Sequence, residues 1–263
     1  MLRYAPWLAG VVAGALYYRE RRERRAMERL GAATLESLLD AIDANNSETG
    51  AHVRRVAEYA LILATAADAN ERLCRSVERV ALFHDIGKID GAISDIVSED
   101  TRLTAEERRE VMRHPRRGAE VLRPISAFYP DLPEGVLSHH ERWDGTGYPR
   151  GLRGESIPIE ARIVAIVDTF DAITQARSYS YARTFEAATD IILEGRGTQF
   201  DPNLVDLFLS PPVLDDVRKA LKRANSPRCV HGSKRRGGSS QYSIPDITFR
   251  WRSPSPLQQR AGR

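Results

Sequence analysis

Leu82-Phe83-His84-Asp85-Ile86-Gly87-Lys88 places two unlike metal-ligand types, an imidazole and a carboxylate, at the end of an apolar helical run, with a cation one turn further on. In isolation the stretch has an ordinary alternative: a helix end whose aspartate is solvated and whose histidine is hydrogen-bonded. The remainder of the chain decides between the two. Glu48 with His52, then His114, the adjacent His139 and His140, and Asp168 all sit in strongly patterned contexts. Of the six histidines only His231 stands apart, in the tail.

Apolar residues recur at helical spacing through the body and no run alternates with period two, so the expected fold is all-α, a helical bundle around a metal site. A helix is predicted from about residue 47 to 68, capped by Ser47 or an adjacent asparagine, with Val53, Val56, Ala57, Ala60 and Leu63 inward. Glu48 and His52, four residues apart, share one face of it; they either reach one ion or form a solvent-facing pair. A second helix over 73–86 brings His84 and Asp85 to the centre, and Gly87 is expected to end it by letting the backbone turn. Thr104-Ala-Glu-Glu107 is a capping box, predicting a helix that carries His114 about three turns in before Pro115 turns the chain. Helical turns around Gly135 deliver His139 and His140, whose side chains diverge by about 100°. Trp143–Gly154, with four glycines in twelve residues, is a shaped loop. Asp168 lies inside the apolar helix 161–171, where a carboxylate is costly unless paired or bound to metal. Asp201-Pro202 reads as a cap followed by a first-turn proline.

The 263 residues suffice for one sizeable core. The net charge of +3 divides unevenly: +4 over residues 1–30, +9 over 222–263 and −10 between them. An acidic body with basic ends does not bind a nucleic-acid duplex. Two cysteines, Cys74 and Cys229, give no disulfide framework, so a reducing compartment is the simpler expectation. Tyr4 to Tyr18 is uncharged and mostly apolar, with Trp7, Tyr17 and Tyr18 as interface-type residues, and five arginines follow between Arg19 and Arg25. The expectation is a single transmembrane anchor over 1–18 in the inner membrane, with the catalytic body in the cytoplasm; a peripheral or buried helix and a signal peptide are the alternatives. Residues 19–43 form a helical connector whose Leu30, Leu35, Leu38 and Leu39 could pair with a second copy as a homodimer. The body is expected over 44–223. Residues 224–263 read as a disordered basic tail able to touch an anionic membrane.

Eight imidazole and carboxylate groups, Glu48, His52, His84, Asp85, His114, His139, His140 and Asp168, suit two or three divalent ions, iron or manganese before others, and lack the thiolates of a structural zinc site. Such ions can activate water and stabilise the attacking and leaving oxygens of a phosphoryl group. Lys88 can neutralise a nonbridging oxygen as charge grows there. Spacing alone thus points to metal-dependent phosphate-ester hydrolysis, centred on His84, Asp85 and Lys88, without naming the ester.

His84-Asp85-Ile-Gly-Lys88 together with His139-His-Glu-Arg-Trp-Asp-Gly-Thr-Gly-Tyr-Pro149 resembles the HD-GYP family of HD metallophosphohydrolases. The likeness extends from about Glu48 to Leu209. It implies a helical bacterial phosphodiesterase opening cyclic di-GMP to linear pGpG or GMP. It also implies that His84, Asp85, His114, His139, His140 and Asp168 are the metal set, with Glu48 and His52 added where a third ion binds. Lys88 and Arg177 would contact substrate phosphates, and Gly147-Tyr148-Pro149 would form the loop beside the pocket. Ala92-Ile-Ser-Asp95, Glu99-Asp-Thr101 and Arg177-Ser-Tyr-Ser180 depart from the family's usual pattern. Two alternatives stay open: action on another cyclic dinucleotide or nucleotide, and a weakly active module whose Gly-Tyr-Pro loop meets cyclic-di-GMP-signalling proteins.

Overall fold

Asn46 separates the first two helices. Its side chain accepts the backbone N–H groups of Glu48 at 2.8 Å and Thr49 at 3.2 Å, so α1 (Ala5–Asn45) gives way to α2 (Ser47–Ala66). The computed structural model describes residues 5–89, 104–175 and 183–225. Among these, the only pairing of strand type is an isolated bridge between Arg196 and Phe200. Asn70 caps α3 (Glu71–Phe83) by accepting the Leu73 N–H at 3.0 Å.

The core is built where α2, α3 and α7 (Ile159–Thr174) meet. Val56, Tyr59, Ala60 and Leu63 from α2, Val77, Val80 and Ala81 from α3, and Ile163, Ile166, Val167 and Phe170 from α7 are fully buried. Each large side chain among them contributes roughly 1.5–3 kcal/mol as an upper figure. The three helices therefore cannot slide independently, and they carry His52, His84 and Asp168.

The Thr104 capping box forms: its hydroxyl accepts the Glu107 N–H at 3.2 Å and the Glu107 carboxylate accepts the Thr104 N–H at 2.7 Å. The helix it starts is shorter than expected. α4 (Ala105–Val111) stops before the histidine, and α5 (His114–Leu122) begins at His114 with Pro115 in its first turn. A proline there lacks an N–H that no helical carbonyl would have accepted, so it opens a helix instead of closing one. α6 (Asp131–Ser138) ends at the adjacent histidines. After α7 come α8 (Phe185–Glu194), α9 (Pro202–Phe208), capped by Asp201 on the Asn203 N–H at 2.9 Å, and α10 (Pro211–Asn225), which packs on α2.

The amino-terminal expectation is overturned. No helix among the described residues is long and apolar enough to cross a membrane, so the single-pass anchor and the inner-membrane localisation are not supported. The uncharged run is shorter than the roughly 20 residues a span requires, and α1 continues without a break through Arg19–Arg25. Extending the run toward the carboxyl terminus takes in those charges. Connector and anchor are thus one helix. Its carboxyl-terminal half joins the body: Leu35 and Ile42 are buried and Leu38 and Leu39 pack against the core. Of the leucines expected to pair with a second copy, Leu30 remains exposed. Arg177, the departures at 92–101 and 178–180, and the tail from residue 226 lie outside the described residues.

Candidate active site

Three histidines are oriented by one local device. His84 Nδ1 donates to the Ala81 carbonyl at 2.8 Å, His114 Nδ1 to Val111 at 2.6 Å and His139 Nδ1 to Val136 at 2.6 Å. A carbonyl only accepts, so each Nδ1 carries the proton and each Nε2 keeps a lone pair. The three backbone segments are the end of α3, the turn before α5 and the end of α6. Their convergence gathers Asp85, His114, His139 and His140 into one group, and His52, His84 and Asp85 into another, with the ligand atoms of each group within 4.8 Å of one another. Asp85 belongs to both.

Asp168 stands beside the second group, its Oδ1 3.3 Å from His52 Nε2 and 3.7 Å from His84 Nε2. Glu48 belongs to neither; it is exposed in the first turn of α2. The expected outcome for Glu48→Ala is therefore an unchanged metal content by plasma mass spectrometry, whereas loss of one ion per chain would make it a ligand.

The donor set fits divalent cations on its own chemistry. His114 Nε2 and His139 Nε2 face each other at 3.1 Å, two lone pairs at a separation that only a shared proton or a cation makes favourable. Asp85 Oδ1 lies 3.3 Å from His114 Nε2 and 3.8 Å from His139 Nε2, and it is buried with no hydrogen-bond partner. His84 Nε2 and His52 Nε2 are buried and equally without one. Buried polar atoms left in this way are costly unless something binds them. Burial, with His114 and Lys88 close by, pushes His140 down to about 3, and burial together with the neighbouring His140, His84 and His114 holds His139 well below the usual range. Both stay neutral, as ligands must. Burial opposes charge on His52, but Asp168 and Asp171 outweigh it and raise its pKa to about 9. A cation reaching Nε2 would replace that proton. Asp85 is held well below the usual carboxylate range because Lys88 and His84 outweigh its burial.

Lys88, about a third exposed, places Nζ 2.8 Å from Asp85 Oδ2. Across the site the Tyr148 ring stacks on His140, centroids 4.9 Å apart and planes 25° from parallel, and its N–H donates to the His140 carbonyl at 3.2 Å. The Tyr148-Pro149 peptide is cis. Gly147 admits no side chain, since a Cβ there would lie 2.3 Å from the Arg142 nitrogen. The loop is clamped by the buried Glu141 carboxylate, which accepts the Arg150 N–H at 2.8 Å and the Leu152 N–H at 3.0 Å. Segment 197–200 braces its other side: Trp143 N–H reaches the Gln199 carbonyl at 3.1 Å and Asp144 N–H the Thr198 carbonyl at 2.8 Å.

Sequence reasoning missed Glu141, Asp171 and Arg55. Asp171 could have been found by the criterion that marked Asp168, a carboxylate inside an apolar helix. Neither Arg55 nor Glu141 carries a spacing signal.

Against known proteins, the HD domain family matches residues 36–204. The cyclic di-GMP phosphodiesterase response regulator RpfG of Xanthomonas campestris pv. campestris is 40% identical over 192 residues, covering 72% of this chain and 48% of that protein. The 3'3'-cGAMP-specific phosphodiesterase 2 of Vibrio cholerae is 38% identical over 175 residues, covering 66% and 33%. The chain thus spans about half the length of these curated relatives, or less. The HD domain of L. monocytogenes phosphodiesterase PgpH, solved with cyclic-di-AMP, superposes with a TM-score of 0.51 at 21% identity over 73% of this chain and 98% of that one, a likeness of fold. By sequence match and site alike, the chain belongs to the HD domain superfamily of metal-dependent phosphohydrolases.

Proposed function

We propose that the chain is a metal-dependent phosphodiesterase that hydrolyses cyclic di-GMP to linear pGpG, to GMP, or to both. The observation that carries this is the pair of ligand groups sharing Asp85, with buried Nε2 and Oδ1 atoms left unpartnered. His114, His139 and His140 would hold one divalent ion, His52, His84 and Asp168 a second, and Asp85 would serve both. Iron and manganese suit these nitrogen and oxygen donors best. Bound there, such ions supply Lewis-acid stabilisation of phosphoryl oxygens and lower the pKa of water.

The reaction adds water across a phosphodiester. Its oxygen bonds to phosphorus, the ribose 3′ oxygen leaves with a proton, and a 5′ phosphate remains on the linear product. Lys88 sits beside Asp85 with its side chain about a third exposed, able to turn from that carboxylate to a nonbridging phosphate oxygen. Tyr148, fixed on His140, gives a flat wall for a base or ribose. Arg177 as the contact to a second phosphate rests on the family resemblance.

A second substrate, 3'3'-cGAMP, is favoured by a relative specific for it at 38% identity, close to the 40% of the Xanthomonas cyclic di-GMP relative. Chromatography of products from metal-loaded protein given each dinucleotide separately tests the proposal: pGpG or GMP from cyclic di-GMP at the higher kcat/KM is expected. Preference for 3'3'-cGAMP would replace the substrate, and turnover of neither would remove the activity. Lys88→Met is expected to lower kcat by ~10²-fold with a smaller change in KM and full metal content. Wild-type kcat in that variant would end its role at the phosphate.

A further inference from the structure

Asp171 lies one turn beyond Asp168 on α7 and is fully buried, yet it is in neither ligand group. Its carboxylate is engaged on both oxygens. Arg55 Nε donates to Oδ1 at 2.8 Å and Arg55 Nη2 to Oδ2 at 2.9 Å, while His52 Nδ1 meets Oδ2 at 2.7 Å. A carboxylate forked by a guanidinium is an ionised acceptor, so His52 must present Nδ1 as a donor. Its other nitrogen is then the one facing the cluster: Nε2 is buried, 3.3 Å from Asp168 Oδ1 and grouped with His84 and Asp85. His84, His114 and His139 are oriented by carbonyls one turn back on their own backbone. His52 has a carboxylate from a different helix in that role.

We infer that Asp171, locked by Arg55, is the positioning residue that turns His52 Nε2 toward the His84 side of the site, and so sets occupancy of the second ion independently of the His114 side. This rests on the metal-site reading above. An asparagine at 171 keeps the shape but must place an NH₂ on one oxygen position. On Oδ2 it would meet His52 Nδ1 and favour the tautomer with a proton on Nε2, which cannot ligate; on Oδ1 it would oppose Arg55 Nε–H. Hydrogen-bonding partners of ligating histidines change metal affinity by about 10–100-fold when removed.

The test is titration of full-length protein with Mn(II), followed by plasma mass spectrometry after dialysis, with circular dichroism on the same samples. For Asp171→Asn the expected result is one ion bound at wild-type affinity and the other weakened about 10–100-fold. His52→Ala should lose the same ion, and the double variant should resemble His52→Ala. Arg55→Met, which leaves the carboxylate, should weaken that ion by a smaller factor, and it decides the matter if Asp171→Asn does not fold. Wild-type affinity for both ions in Asp171→Asn, or in Arg55→Met when that alone folds, would overturn the inference and leave the metal site standing. So would equal weakening of both ions, which marks a purely structural role. Wild-type protein that binds no ion would remove the metal site itself.

Discussion

Asp85→Asn is expected to bind neither ion tightly and to lose turnover by ~10³-fold or more, while its helical circular dichroism stays close to wild type. Asp85 is the only residue common to both ligand groups among the described residues, so its loss strikes both. His114→Ala and His52→Ala should each strike one. Oδ1 is the buried atom left without a partner, and Oδ2 lies 2.8 Å from Lys88 Nζ and 3.5 Å from His84 Nε2. Asparagine offers one neutral oxygen in place of two anionic ones, and it leaves Lys88 without its counter-charge. The size of the effect follows from the several kcal/mol of transition-state stabilisation that such ions supply, each 1.36 kcal/mol being tenfold in rate. A folded variant that retained two ions and turned over within tenfold of wild type would refute the shared-ligand assignment. The sign of the acid response follows from the same group. Its folded pKa lies below the ordinary carboxylate value, so the stability contributed by its charge is present at and above neutral pH. That contribution is lost as pH falls through the folded pKa.

Most of the cluster is legible from residue type because carboxylates and paired imidazoles inside apolar helices are expensive, and sequence alone shows where that cost is incurred. Asp168, His84 with Asp85, and the His139-His140 pair could be marked that way. The placement of His114 could not be fixed so well: Pro115 closes one helix or opens another with equal local logic, and only the stop at Val111 decides. Arg55 and Asp171 meet across 116 positions, a tertiary pairing without any local trace. The apolar stripe of Leu35, Leu38 and Leu39 correctly announced a covered face but not its cover, which is the chain's own core. The membrane expectation failed similarly. Local apolarity over Tyr4–Tyr18 does not reveal that the same helix runs on through five arginines.

Gly87 separates two explanations of one residue by magnitude. If its value were the conformational freedom expected of a turn, alanine would cost about 1 kcal/mol. Its φ, however, is not among the positive ones; it sits in the short turn Ile86–Lys88 directly against the start of α5. A Cβ there would lie 2.1 Å from the His114 carbonyl oxygen and 2.7 Å from the Gly118 nitrogen. Both are backbone atoms, which cannot rotate aside, and Gly118 is itself bare on the facing side, where its own Cβ would meet Gly87 N at 3.3 Å. This glycine-to-glycine approach is what seats α5 against the turn carrying Asp85 and holds His114 Nε2 3.3 Å from Asp85 Oδ1. Gly87→Ala must push α5 away, with an overpacking cost of about 3 kcal/mol, or a fall in Tm of roughly 6–12 °C for a domain of this size. The ion on the His114 side should weaken first, because His114 moves with α5, while His52 and His84 stay anchored in the α2–α3–α7 core. Gly31→Ala is the matched control, since a Cβ there meets the Phe128 and Tyr129 rings at an ordinary 3.4 Å, and its Tm should stay within a few degrees of wild type. Calorimetry and metal titration of the two variants side by side check the account. A Gly87→Ala protein melting within about 4 °C of wild type, as a loss near 1 kcal/mol would give, and still holding both ions would show that the glycine serves the turn and that α5 is held by other contacts.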